Sequence, residues 1–127
     1  MRIALDTNRY SDFARGDEDV SKLIEIADEA YLPFAVVAEL RMGFLGGSKG
    51  RQNERILQQF LRRPGISMLF PDEQTTQHYA AFALQLRRQG TPIPINDVWI
   101  AALCVQHGLS LYARDSHFDH LPQLLRI

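Results

Sequence analysis

Three short apolar runs, each set apart from the next by helical segments, restrict the fold of this chain most. Ile3-Ala4-Leu5 runs into Asp6-Thr7-Asn8, Ile66 to Phe70 into Pro71-Asp72, and Leu109 to Ala113 into Arg114-Asp115. Between them lie segments with helical periodicity. In "DEDVSKLIEIADEA", Val20, Leu23, Ile24 and Ala27 fall at i, i+3, i+4 and i+7, behind an acidic first turn. "AVVAELRMGFLGG" reads as a helix stopped by Gly46-Gly47, and a further helix, with Ser48 as its expected cap, carries Ile56, Leu57, Phe60 and Leu61. A long helix opens at Asp72 and ends at Gly90, with Tyr79, Phe82, Ala83 and Leu86 on one face. "TPIPIN" is expected to be an extended connector, Asp97 to His107 a helix and Gly108 its stop. "YLPF" and "LLRI" are expected to be further short strands. Strands alternating with helices imply an α/β layer fold with a largely parallel sheet, built as one domain over residues 1–127.

The bulk properties narrow the function. The chain has 127 residues, enough to bury a core. No apolar run approaches the roughly 20 residues that span a bilayer, and "MRIALD" is charged too early for a signal peptide, so a cytoplasmic protein with no membrane partner is expected. Cys104, the single cysteine, sits within "IAALCVQH" and reads as a small buried hydrophobe rather than a nucleophile. A formal net charge of -1 offers no global attraction to a polyanion, so such a partner must be held by a local patch or by a metal.

In parallel α/β sheets, ligands bind beyond the carboxyl ends of the strands. Asp6 and Asp115 each follow a strand and emerge at that edge. Glu39 lies inside an otherwise apolar helix, with the small residues Ala35 and Gly43 one turn away on either side. Asp97 opens an apolar helix. Each acid has a local explanation: Asp6 as a helix cap, Glu39 at the exposed edge of a core helix, Asp97 as a first-turn acid or cap together with Asn96, and Asp115 as a turn residue. Together they form a set. Carboxylates gathered at one place repel, and some must take up protons unless a cation intervenes. Oxygen donors suit Mg²⁺ or Mn²⁺, which polarise phosphoryl oxygens and activate water, and that chemistry is phosphodiester hydrolysis. His78, His107, His117 and His120 lie at no zinc-ligand spacing, and His117 and His120 read as surface or turn residues.

These elements, in this order, resemble the PIN-domain nucleases, and in particular the VapC-type toxins of bacterial toxin–antitoxin pairs. "IALDTN" is similar to the opening strand of that family, "AVVAELRMG" to its central Glu helix, and "INDVWIAALCVQHGLSLYARDSHFDHLP" to its C-terminal signature. The resemblance implies a PIN-like three-layer α/β/α fold with a central, mostly parallel sheet. It implies a metal-dependent endoribonuclease that uses Mg²⁺ or Mn²⁺, held by Asp6, Glu39, Asp97 and Asp115. It further implies a homodimer, a cognate antitoxin that blocks the site, and toxin–antitoxin hetero-oligomers. Thr7 falls where a hydroxyl supports the site. Asn8 and Asn96 are candidates for orienting the carboxylates, Ser116 for holding a water or phosphate, and Asp119 for an outer acid, each against a local capping or solvated-loop role. Arg9 departs from the family pattern and is expected at the surface.

Candidate phosphate contacts are Arg41, Lys49, Arg51, Arg55 and Arg114. "GGSKG" is not a P-loop, since it follows a helix and lacks the Gly-Lys-Ser/Thr order. Two rivals stand beside the nuclease. One is a catalytically silent PIN-like module that binds protein or RNA, against which the complete acidic set argues. The other is a phosphatase with Asp-x-Asp after its first strand, which Asn8 disfavours.

Overall fold

The computed structural model describes all residues, Met1–Ile127. In chain order the elements are β1 (Arg2–Leu5), α1 (Thr7–Ala14), α2 (Glu18–Ile26), β2 (Glu29–Pro33), α3 (Phe34–Gly46), α4 (Gly50–Leu61), β3 (Ile66–Leu69), α5 (Glu73–Gln89), α6 (Ile95–His107) and β4 (Ser110–Tyr112), followed by a 3-10 turn at Ser116–His120. The four strands form one sheet in the order β3-β2-β1-β4, with every pairing parallel. β1 is central, and Ile3, Ala4 and Leu5 are fully buried. A strand covered on both faces needs such an unbroken apolar run. Leu32, Ile100, Leu103, Leu109 and Leu111 complete the centre of the core.

The strand order locates the cleft. From β1 to β3 the chain moves outward in one direction, and it then crosses back to place β4 on the other side of β1. Right-handed crossovers put the helices before β3 and the pair after it on opposite faces, giving the three layers. The reversal falls between β1 and β4, and at such a reversal a parallel sheet leaves room for a ligand beyond the strands' carboxyl ends. Leu5 pairs with Tyr112 at that edge, and the Asp6 backbone N–H donates to the Tyr112 carbonyl at 3.1 Å. No helix is long and apolar enough to cross a membrane.

Several local boundaries differ from the sequence reading. The helix expected over "DEDVSKLIEIADEA" stops at Ile26, and Glu29 and Ala30 join β2 opposite Arg2 and Ile3. Ladder hydrogen bonds and burial of Ala30 outweigh helix propensity there. Ser48 does not cap α4, which begins at Gly50 with no side-chain cap. "TPIPIN" is extended only as far as Pro94. That proline has no N–H to satisfy, and its carbonyl accepts from the N–H groups of Asp97 (3.0 Å) and Val98 (3.2 Å). Asp97 is therefore a first-turn residue of α6 and not its cap. "LLRI" forms no full strand; it meets β4 at a single bridge, Leu111 to Arg126.

Cys104 is completely buried on α6, and burial pushes its thiol up to about 12. Such a thiol is neither accessible nor ionised near neutrality. The native protein is therefore expected to leave a water-soluble disulfide reagent unreacted, whereas the denatured chain consumes one equivalent. Rapid labelling of the native state would contradict this packing.

Candidate active site

Four elements deliver acids to the crevice. Asp6 follows β1 and caps α1, its Oδ1 accepting from the Thr7 N–H at 2.8 Å. It is 6% exposed. Burial is the main force that lifts its carboxyl to about 6; the Thr7 N–H opposes the rise, and the charges of Asp97, Glu39 and Asp115 add to it. Asp97, from the first turn of α6, is also buried and shifted upward by burial, with partial relief from His117. Asp115 follows β4 and caps the 3-10 turn by accepting from the His117 N–H at 2.9 Å.

Glu39 reaches the cleft from α3 and is held at both oxygens. Thr7 Oγ1 donates to Oε2 at 2.9 Å, and Asn96 Nδ2 donates to Oε1 at 3.0 Å. The residue after Asp6 and the residue before Asp97 thus fix Glu39 against both neighbours. Its apolar helix follows from its place: Ala35, Val36, Val37 and Leu40 are buried around it.

His117 was the residue that spacing failed to find. Its Nδ1 lies 2.8 Å from Asp97 Oδ2 and 3.1 Å from Asp115 Oδ1. The hydrogen bond to Asp97 is the chief cause of its raised pKa. The other expected supporting residues stand apart. Asn8 and Ser116 are exposed and make no side-chain hydrogen bond, and Asp119 pairs with Arg126 at 2.8 Å rather than with the acids.

A ring of arginines holds the loops that carry the site. Asp12 on α1 is buried and pairs with Arg15 (2.9 Å) and Arg114 (3.2 Å), with Arg9 at 3.7 Å. Arg9 is not the free surface residue expected; its guanidinium stacks 4.2 Å from the centre of the Tyr112 ring. Arg126 donates to the carbonyls of Ala113 (3.1 Å) and Asp115 (3.4 Å). Of the expected phosphate contacts, Arg114 is committed to Asp12 and Arg41 to Glu54. Lys49, Arg51 and Arg55 form no ion pair and line a groove of about 980 Å³ between α3 and α4 that contains none of the four acids.

Asp6, Asp97 and Asp115 each keep one carboxylate oxygen without a hydrogen-bond partner in the chain. Open oxygens on crowded, half-desolvated acids can bind a hard divalent cation, which removes the repulsion that burial intensifies.

The PIN domain family model matches residues 3–124. The chain is 38% identical over 96 residues to Ribonuclease VapC1 of Haemophilus influenzae strain R2866, a match that covers 76% of this chain and 66% of that protein's length. Toxin FitB of Neisseria gonorrhoeae is 33% identical over 122 residues, covering 90% of this chain and 88% of FitB. The structure of VapBC-1 from nontypeable Haemophilus influenzae superposes with a TM-score of 0.86 at 25% identity, covering 100% of this chain and 97% of that one. The chain belongs to the PIN-domain family, and the relatives it matches carry the names of ribonucleases and toxins.

Titration of the site sets the pH dependence of the metal-free fold. Asp6 titrates at about 6 when folded, against 3.8 ordinarily, so between those values only the folded state holds the proton. The resulting stabilisation is complete below the ordinary value and is lost as pH rises through about 6. Asp97 and His117, both raised, act in the same direction. The Asp6 contribution is on the order of 2–3 kcal/mol. Melts in chelator should show Tm falling from about pH 5 to about pH 8. Asp6→Asn should flatten that fall, and a wild-type Tm that does not fall over this range would show that the site acids are not coupled.

Proposed function

We propose that this chain is a divalent-metal-dependent endoribonuclease and the toxin of a toxin–antitoxin pair, acting in the cytoplasm. The observation that carries the reading is the gathering of Asp6, Glu39, Asp97 and Asp115 at the carboxyl edge of β1 and β4. The ribonuclease and toxin names of its relatives supply the substrate class, and its likeness to a VapBC structure supports a cognate antitoxin; assembly as a homodimer or larger hetero-oligomer belongs to the same proposal.

Asp6, Glu39, Asp97 and Asp115 would hold Mg²⁺ or Mn²⁺, which when bound supplies positive charge to a phosphoryl oxygen and lowers the pKa of an attacking water. The chain's own residues supply the preorganisation. Thr7 and Asn96 aim Glu39 before any ligand arrives. Asp6 is pinned at its backbone to β4 and at its side chain to α1, so its open oxygen cannot swing away. Asp97 and Asp115 are braced by His117. With no need for the ribose 2′-hydroxyl as nucleophile, hydrolysis should leave 5′-phosphate and 3′-hydroxyl ends. Lys49, Arg51 and Arg55 remain available to the RNA backbone, while Arg41 and Arg114 have carboxylate partners.

Asp6→Asn and Asp97→Asn are each expected to lower cleavage of single-stranded RNA by at least about 100-fold while the circular dichroism spectrum is unchanged. Wild-type rates in either variant would overturn the site, and a wild-type chain inert on RNA across a panel of divalent metals would favour a silent binding module.

A further inference from the structure

His117 has no part in the acidic set that defines the site, yet its ring nitrogen faces the same crevice. Nδ1 stands 2.8 Å from an Asp97 oxygen and 3.1 Å from an Asp115 oxygen, and the three residues each offer a ligand atom within 4.8 Å of the other two. Adjacent donors around an octahedral ion at about 2.0–2.1 Å are about 3 Å apart, and opposite donors about 4 Å. The His117 nitrogen is therefore spaced from each of the two carboxylates as adjacent donors of one shell are. No other histidine of the chain takes part in such a group.

The placement is built by the backbone. Asp115 accepts from the His117 N–H, which folds the 3-10 turn back over the carboxylate. Phe118, 1% exposed, anchors the turn in the core. Arg126 grips the carbonyls on the near side. The ring is half-exposed, but its Nδ1 edge is turned inward. An imidazole held so firmly between two carboxylates needs little reorganisation to exchange an ion pair for a metal bond.

We propose that His117 is a nitrogen ligand of the divalent cation, beside Asp97 and Asp115, and that it makes the site select Mn²⁺ over Mg²⁺. The proposal rests on the metal-dependent reading above and adds a donor and a preference to it. Mg²⁺ favours oxygen donors and gains little from imidazole, whereas a first-row transition ion accepts it readily. A shell of carboxylates and water alone would discriminate weakly between the two ions.

The test is metal binding by the whole metal-free chain. Calorimetric titration with MnCl₂ and with MgCl₂ is expected to show Mn²⁺ bound at least about 10-fold more tightly than Mg²⁺. Pulsed electron paramagnetic resonance of the Mn²⁺ complex should show coupling to a histidine nitrogen, a reading that needs no variant. His117→Ala, and His117→Gln as a variant of closer size, should abolish that coupling and weaken Mn²⁺ about 10-fold, with Mg²⁺ affinity nearly unchanged. Mn²⁺ binding without nitrogen coupling, or selectivity retained in both variants, would overturn the assignment of His117 while leaving the carboxylate site standing. Failure of the wild-type chain to bind either ion would overturn the metal site itself, and His117 with it.

Discussion

Carboxylates forced together at the reversal of a parallel sheet are the constraint on which this structure turns. β1 and β4 pair in register, and the backbone of Asp6 is bonded to the last residue of β4. Asp6 therefore cannot retreat from Asp115 without breaking the sheet edge. Burial at that edge raises the Asp6 carboxyl to about 6, and Asp97 follows the same course on α6. In chemical terms the fold stores an electrostatic demand that protons meet at low pH and that a divalent cation can meet near neutrality.

The rest of the molecule maintains that demand against relaxation. Thr7 and Asn96 clamp Glu39 from two sides, so α3 is tied to the starts of α1 and α6 at the cleft. Asp12 gathers arginines from α1 and from the segment leaving β4, and Arg126 brings the C-terminal tail onto the same segment. Isolated surface ion pairs contribute little, but Asp12 is nearly buried and serves several cations at once. Removing it would leave Arg114 without its partner beside Asp115. The carboxylates are thus held by a network whose outer members carry the opposite charge.

Much of this arrangement could be read from residue order. Asp6 and Asp115 each follow an apolar run, and parallel strands bring such residues to one edge. Glu39 stood out because its helix is otherwise apolar. His117 escaped because ligand spacing along a chain says nothing about a turn that folds a ring back over the residue two positions earlier. Asp12 escaped for a related reason: on α1 alone it looks like a surface acid, and one of its partners, Arg114, returns from the far end of the chain. The start of α6 was placed two residues late, at Asp97, because Pro94 caps a helix that begins at Ile95. Contacts between residues distant in sequence decided these cases, whereas local pattern decided the strands.

The most direct measurement of the central claim is the anomalous scattering of a crystal grown metal-free and soaked in Mn²⁺. The expected result is a peak in the crevice beyond β1 and β4, within coordination distance of carboxylate oxygens from Asp6, Asp97 and Asp115, with Glu39 in direct or water-mediated contact. An empty crevice at saturating Mn²⁺, or a peak held only by acids elsewhere on the surface, would contradict it.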